Sequence, residues 1–142
     1  MLVETILQTK GTTVHTLPRN GTLADAVAML NARNIGALVV TEDDGRIVGI
    51  LSERDIVRRL GDGQAAALAL PIADCMSRDV FTCTRETPIS EVMEQMTRRR
   101  IRHMPVVENG RMVGIVSIGD VVKRKIEETE QEAEALREYI AS

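Results

Sequence analysis

The chain has 142 residues, a formal net charge of −3, 44% apolar residues and 1% aromatic ones. That length fits one ordinary domain, or two very small units sharing one core. The acidic balance offers no global attraction to DNA, RNA or an anionic membrane, and two aromatics, Phe81 and Tyr139, cannot build the stacking platform of a single-strand binder.

In chain order, Leu2 to Gln8 read as a short flanking helix. A β-rich stretch, Thr13 to Leu17, then meets turn residues. The next helix has Thr22 as its N-cap, and Asp25 completes a capping-box pattern. Leu23, Ala26, Val27 and Leu30 recur at helical spacing, as a helix buried along one side requires. Two short apolar runs follow, turning at Asp43-Asp44-Gly45, where glycine supplies the positive φ of a hairpin. A second helix opens at Glu53. The loop Gly61 to Ala66 and a short apolar segment, Pro71 to Met76, lead to the same order again. Val80 to Cys83 form the strand, and Thr87 caps a helix with Pro88 at its first position. A hairpin turns at Asn109-Gly110, and a last helix starts at Ile118.

The two passages are copies of one β-α-β-β-α unit. Val14-His15-Thr16 matches Val80-Phe81-Thr82, Arg19 matches Arg85, and Leu23, Leu30 and Ile35 match Ile89, Met96 and Ile101. Leu38-Val39-Val40 falls on Met104-Pro105-Val106. After a one-residue deletion, Gly45-Arg46-Ile47-Val48-Gly49-Ile50-Leu51-Ser52 falls on Gly110-Arg111-Met112-Val113-Gly114-Ile115-Val116-Ser117. Each copy then reaches an aspartate, Asp55 or Asp120. A spacing of about 65 residues is too long for the common solenoid repeats, so this is a duplicated domain. One unit of about 45 residues cannot bury enough surface alone, whereas two packed through their sheets can. The expected division is 1–66 for the first motif with the N-terminal helix, 67–123 for the second, and 124–142 for a helical extension.

This pattern resembles a tandem pair of CBS domains, the module named after cystathionine β-synthase, of the stand-alone bacterial type. Two segments in each copy carry the resemblance. One is the apolar hairpin, clearest as Ile101-Arg102-His103-Met104-Pro105-Val106-Val107. The other is the strand-to-helix turn, Gly49-Ile50-Leu51-Ser52-Glu53-Arg54-Asp55 and Gly114-Ile115-Val116-Ser117-Ile118-Gly119-Asp120. The resemblance implies an α/β fold of two motifs packed as a pseudo-two-fold pair, with flanking N- and C-terminal helices. It implies adenosine ligands in two clefts between the motifs: AMP, ADP, ATP or NAD(H), sometimes S-adenosylmethionine. Mg²⁺ can accompany the phosphates, and no cofactor is obligatory.

In pairs similar to this one, the aspartate of the turn receives the ribose hydroxyls, which assigns that role to Asp55 and Asp120. A carboxylate suits a vicinal diol, because both bonds are charge-assisted. Ser52 and Ser117 sit one helical turn earlier, where a hydroxyl can cap the helix and meet ribose or phosphate. Plain helix capping is the competing reading for all four. The resemblance also points Arg102 and His103 at phosphate, although alternation along a strand lets only one of them face the site. The first copy has Gly36 and Ala37 there, so its cleft would depend on Arg54 or on residues across the pair. Thr16, Ala37, Thr82, Thr84, Met104 and Pro105 are candidates for the adenine face, and a core role competes for each.

No nucleophile–base pair, metal cluster or P-loop is present, so catalysis is not expected. Cys75 and Cys83 read as two partly buried thiols rather than a metal or redox site. No run is long enough to span a membrane, and the N-terminus does not read as a signal peptide, so a cytoplasmic protein is expected. Past Asp120 the last helix continues to about Ile140. Val122, Ile126, Thr129, Ala133, Leu136 and Ile140 form a short heptad stripe beside an acidic face, which suggests a homodimer contact. The leading expectation is an energy- or redox-sensing regulatory module acting on an unidentified protein partner. The alternatives are a structural or stress-response dimeric scaffold with incidental nucleotide binding, and an S-adenosylmethionine sensor.

Overall fold

A computed structural model describes all residues, Met1–Ser142. The chain divides into two compact units: Val14–Phe81, and Met1–Thr13 together with Thr82–Ser142. The expectation that the N-terminal helix joins the first copy is therefore corrected. It packs into the unit of the second.

The first-copy unit contains β1 (Thr16–Pro18), α2 (Leu23–Arg33), β2 (Ala37–Thr41), β3 (Ile47–Ser52) and α3 (Glu53–Gly63). Two 3-10 turns follow, Gln64–Ala69 and Ile72–Asp74. β1 runs parallel to β2, and β2 pairs antiparallel with β3, giving the order β1-β2-β3. Thr22 caps α2 in a capping box with Asp25, as expected. The core gathers Leu17, Leu23, Ala26, Leu30, Leu38, Val40, Leu51, Ile56 and Ile72. None is aromatic, so aliphatic side chains fill the space between sheet and helices.

The second-copy unit contains α1 (Val3–Lys10), α4 (Ile89–Arg99), β4 (His103–Glu108), β5 (Arg111–Ser117) and α5 (Ile118–Ala141). Two expectations change here. Val80 to Cys83 is not a strand, and only an isolated parallel bridge, Cys83 to Val106, survives of it. The N-cap of α4 is Pro88 rather than Thr87. The Thr87 hydroxyl accepts the Thr84 N–H instead (2.9 Å), closing the turn ahead of the helix.

Both hairpins share one irregularity. The register shifts between Val40 and Thr41 in one, and between Val106 and Val107 in the other. Opposite the shift stand Gly49 and Gly114. Each glycine is covered by a side chain from outside its hairpin. A Cβ on Gly49 would lie 2.4 Å from Met76 Sδ, and one on Gly114 would lie 2.6 Å from Leu7 Cδ2.

These covering segments are themselves repeats. The N–H groups of Ile72 and Ala73 donate to the carbonyls of Gly21 and Arg19, and those of Val3 and Glu4 donate to Thr87 and Arg85. Leu23 N–H donates to Leu70, and Ile89 N–H donates to Met1. So Pro71-Ile72-Ala73 in one unit corresponds to Leu2-Val3-Glu4 in the other. Each unit is completed by the segment that precedes the other copy in sequence.

Candidate functional site

The strand-to-helix turns form as the spacing predicts. β3 ends at Ser52 and β5 at Ser117, both in extended backbone, and the next residue opens a helix. Serine at the N-cap and aspartate at the third helical position then close a capping box in each copy. Asp55 Oδ2 accepts from the Ser52 N–H (2.8 Å) and from the Ser52 hydroxyl (3.0 Å). Asp120 Oδ2 accepts from the Ser117 N–H (2.9 Å), and the Asp120 N–H donates to Ser117 Oγ (3.2 Å). Every side-chain bond of both aspartates runs through Oδ2, which leaves Oδ1 as an acceptor. Both carboxylates are partly buried beside helix N-termini, whose dipole favours negative charge.

The turns differ most in one ion pair. Lys10 Nζ donates to Asp120 Oδ2 at 2.7 Å. Asp55 has no such cation. α1 continues three residues beyond Leu7, to Lys10, while the matching segment ends its 3-10 turn at Asp74 and carries Asp79 at the position that corresponds to Lys10. Burial alone would raise the Asp120 pKa. The Lys10 and Ser117 hydrogen bonds outweigh it and hold the carboxyl below its ordinary value.

Register places Arg102 and His103 differently. β4 starts at His103, which lies directly opposite Ser117, so the two side chains share a face. Arg102 precedes the strand and is exposed, and its carbonyl accepts the Ile118 N–H (2.8 Å). The expectation that both residues enter the strand is thus corrected: only His103 does. The first copy repeats the geometry with Ala37 opposite Ser52 and the Gly36 carbonyl accepting the Glu53 N–H (3.0 Å). A methyl group in one turn replaces an imidazole in the other, so the turns are chemically unequal.

The other candidates scatter. Arg54 is exposed on the first turn of α3. Thr16, in β1, and Thr82 are exposed, whereas Ala37, Met104 and Pro105 are buried. The Pro105 carbonyl accepts the Cys83 N–H (3.0 Å), so it is engaged within its own unit. The Thr84 hydroxyl accepts the Glu86 N–H (3.3 Å) and pairs with the Thr87 hydroxyl (3.2 Å). Both thiols are buried, and burial pushes Cys75 up and Cys83 to about 12.

Sequence reasoning missed two features. One is Lys10 on Asp120, a contact between residues far apart in sequence. The other is a cleft of about 430 Å³ between α2 and α3, lined by residues including Val27, Asn31, Gly36, Glu53 and Val57. Ser52 and Asp55 are not part of its lining. No helix is long and apolar enough to cross a membrane.

Against known families, the CBS domain matches residues 8–62 and again 72–127. The chain is 37% identical over 123 residues to the CBS domain-containing protein CBSX3, mitochondrial, of Arabidopsis thaliana, covering 84% of this chain and 60% of that protein. Among solved structures, the CBS-domain containing protein ATU1752 from Agrobacterium tumefaciens is 41% identical with a TM-score of 0.86, covering 88% of this chain and 99% of that one. The CBS domain pair of protein MJ0100, solved with 5-methylthioadenosine and S-adenosyl-L-methionine, is 28% identical with a TM-score of 0.80, over 90% and 98% of the two chains. The CBS domain protein PAE2072 from Pyrobaculum aerophilum, complexed with AMP, is 29% identical with a TM-score of 0.75, over 84% and 89%. Two matched segments in register, two capping-box turns and this agreement in fold lead to one conclusion: the chain belongs to the CBS domain family, as a tandem pair.

Proposed function

We propose that this chain is a regulatory module that binds an adenosine-containing ligand (AMP, ADP, ATP or NAD(H)) at its two Ser-x-x-Asp turns and passes occupancy to a protein partner without catalysing a reaction. The observation that carries the reading is the duplicated turn. Two carboxylates stand at two helix N-termini, each with one oxygen committed to the capping box and the other available. That oxygen suits a ribose hydroxyl, and the helix N-terminus and the serine suit the adjoining phosphate. At the second turn His103 adds a further polar group, and Lys10 neutralises the carboxylate that an anionic ligand would otherwise meet. The first turn offers Arg54 alone. Unequal occupancy, or one extended dinucleotide, follows from that difference. Mg²⁺ with the phosphates is compatible with the reading and not required by it.

The family supports the ligand class. Similar chains have been solved with AMP in one case and with S-adenosyl-L-methionine and 5-methylthioadenosine in another. The second case makes an S-adenosylmethionine sensor the next reading. Both need the same ribose acceptor. A thermal-shift screen against AMP, ADP, ATP, NADH and S-adenosylmethionine separates them. A ligand selective for the folded state, at a hundred times its dissociation constant, stabilises by about 2.7 kcal/mol. A response to the first four supports the nucleotide sensor, and one to the last alone supports the alternative. Silence towards all five would leave a dimeric scaffold.

A further inference from the structure

We propose that Lys10 sets the ligand class of the second turn: its ammonium makes that turn select adenosine compounds that carry a phosphate over the uncharged nucleoside. The inference rests on the Ser-x-x-Asp turn being the ribose site.

Lys10 is the last residue of α1, and Gly11 leaves the helix at φ 93°. α1 belongs to the same compact unit as the second turn. From there Nζ meets Asp120 Oδ2 at 2.7 Å, across 110 residues of sequence. The two side chains are 37% and 26% exposed, so the pair lies open to an incoming ligand. An ammonium has three N–H donors, and this bond uses one. Nearby cations on α5 are matched elsewhere. Arg124 donates to the Thr9 hydroxyl and to Glu127, and Lys125 pairs with Glu128. Lys10 is the cation that meets the carboxylate of the turn.

Charge then separates ligands that share the ribose. A phosphate carried by a ribose on Asp120 Oδ1 would stand within roughly one Debye length of the carboxylate and be repelled by it. Lys10 cancels that charge. Its flexible stem also lets Nζ swing from Oδ2 to a phosphate oxygen. Uncharged adenosine gains nothing from Lys10, which competes with the ribose for the carboxylate. The first turn has the opposite balance. Its helix opens with Glu53, Arg54 and Asp55, where the second opens with Ile118, Gly119 and Asp120. Two carboxylates face one guanidinium there, whereas one carboxylate meets one ammonium at the second turn. His103, opposite Ser117, adds an imidazole where the first copy has Ala37.

Isothermal titration of AMP and of adenosine tests this, in the Asp55→Asn background that leaves the second turn as the stronger site. Adding Lys10→Met should weaken AMP at least about tenfold, the worth of a hydrogen bond to a charged group, and leave adenosine unchanged or tighter. Lys10→Arg, which keeps the charge, should retain most of the affinity for AMP. Equal losses for the two ligands, AMP binding indifferent to Lys10→Met, or an Asp55→Asn protein that binds neither ligand would overturn the proposal. Silence of the wild type towards both ligands would overturn the ribose reading itself, and this proposal with it.

Discussion

Replacing Gly114 with alanine should destabilise the second-copy unit, and the cost should depend on Leu7. The new Cβ would lie 2.6 Å from Leu7 Cδ2 and 3.3 Å from Cδ1, and Leu7 is only 3% exposed. Overpacking of this kind costs about 1–3 kcal/mol. Leu7→Ala alone should cost about 2–5 kcal/mol, from lost burial and the cavity left behind. In the double variant the added methyl occupies part of the space that Leu7 vacates. The combined cost should therefore fall short of the sum by about 1 kcal/mol or more. Gly61→Ala is the control. Nothing lies within 4 Å of its Cβ, and its place inside α3 predicts a gain of about 0.5–1 kcal/mol. Urea midpoints at unchanged slope give the comparison. Additive costs, or a neutral Gly114→Ala, would refute the docking of α1 over this hairpin.

Lys10→Met should lower stability near neutral pH by up to about 1 kcal/mol, the worth of an exposed ion pair. Because the folded-state pKa of Asp120 is depressed, this contribution is present above its unfolded pKa of about 3.9 and is lost as pH falls through the folded value. The melting temperatures of wild type and variant should thus converge in acid. Arg100 ends α4 in the left-handed region at φ 56° without being glycine, so Arg100→Gly should raise stability by about 1 kcal/mol in a thermal melt. Cys83, buried and pushed to about 12, should resist thiol-labelling reagents at neutral pH until the chain is unfolded.

The two turns were legible in the sequence because a capping box is a local device. Serine, aspartate and a spacing of three fix its geometry without tertiary help. The hairpins were legible for the same reason, with Gly45 and Gly110 at positive φ where their turns require it. The docking of α1 was not legible. Nothing local says that Leu2-Val3 mirrors Pro71-Ile72, because one segment is helical and the other a brief 3-10 turn, and their shared role is to satisfy N–H groups on a distant loop. The lost strand at Val80 to Cys83 has the same lesson. β propensity is a property of the packing surface, and the ladder formed there is the single bridge from Cys83 to Val106. Arg102 and His103 could not be separated until register was known, since a shift of one residue exchanges their faces.

The most direct measurement is isothermal titration of AMP into wild type, Asp55→Asn and Asp120→Asn. Asparagine keeps an acceptor for the serine N–H but removes the charge on which the ribose bonds depend. A hydrogen bond to a charged group is worth about 1.5–3 kcal/mol, so each substitution should weaken its own site at least about tenfold. The account predicts binding to wild type, with unequal losses in the two variants. Binding that both variants leave unchanged would contradict it.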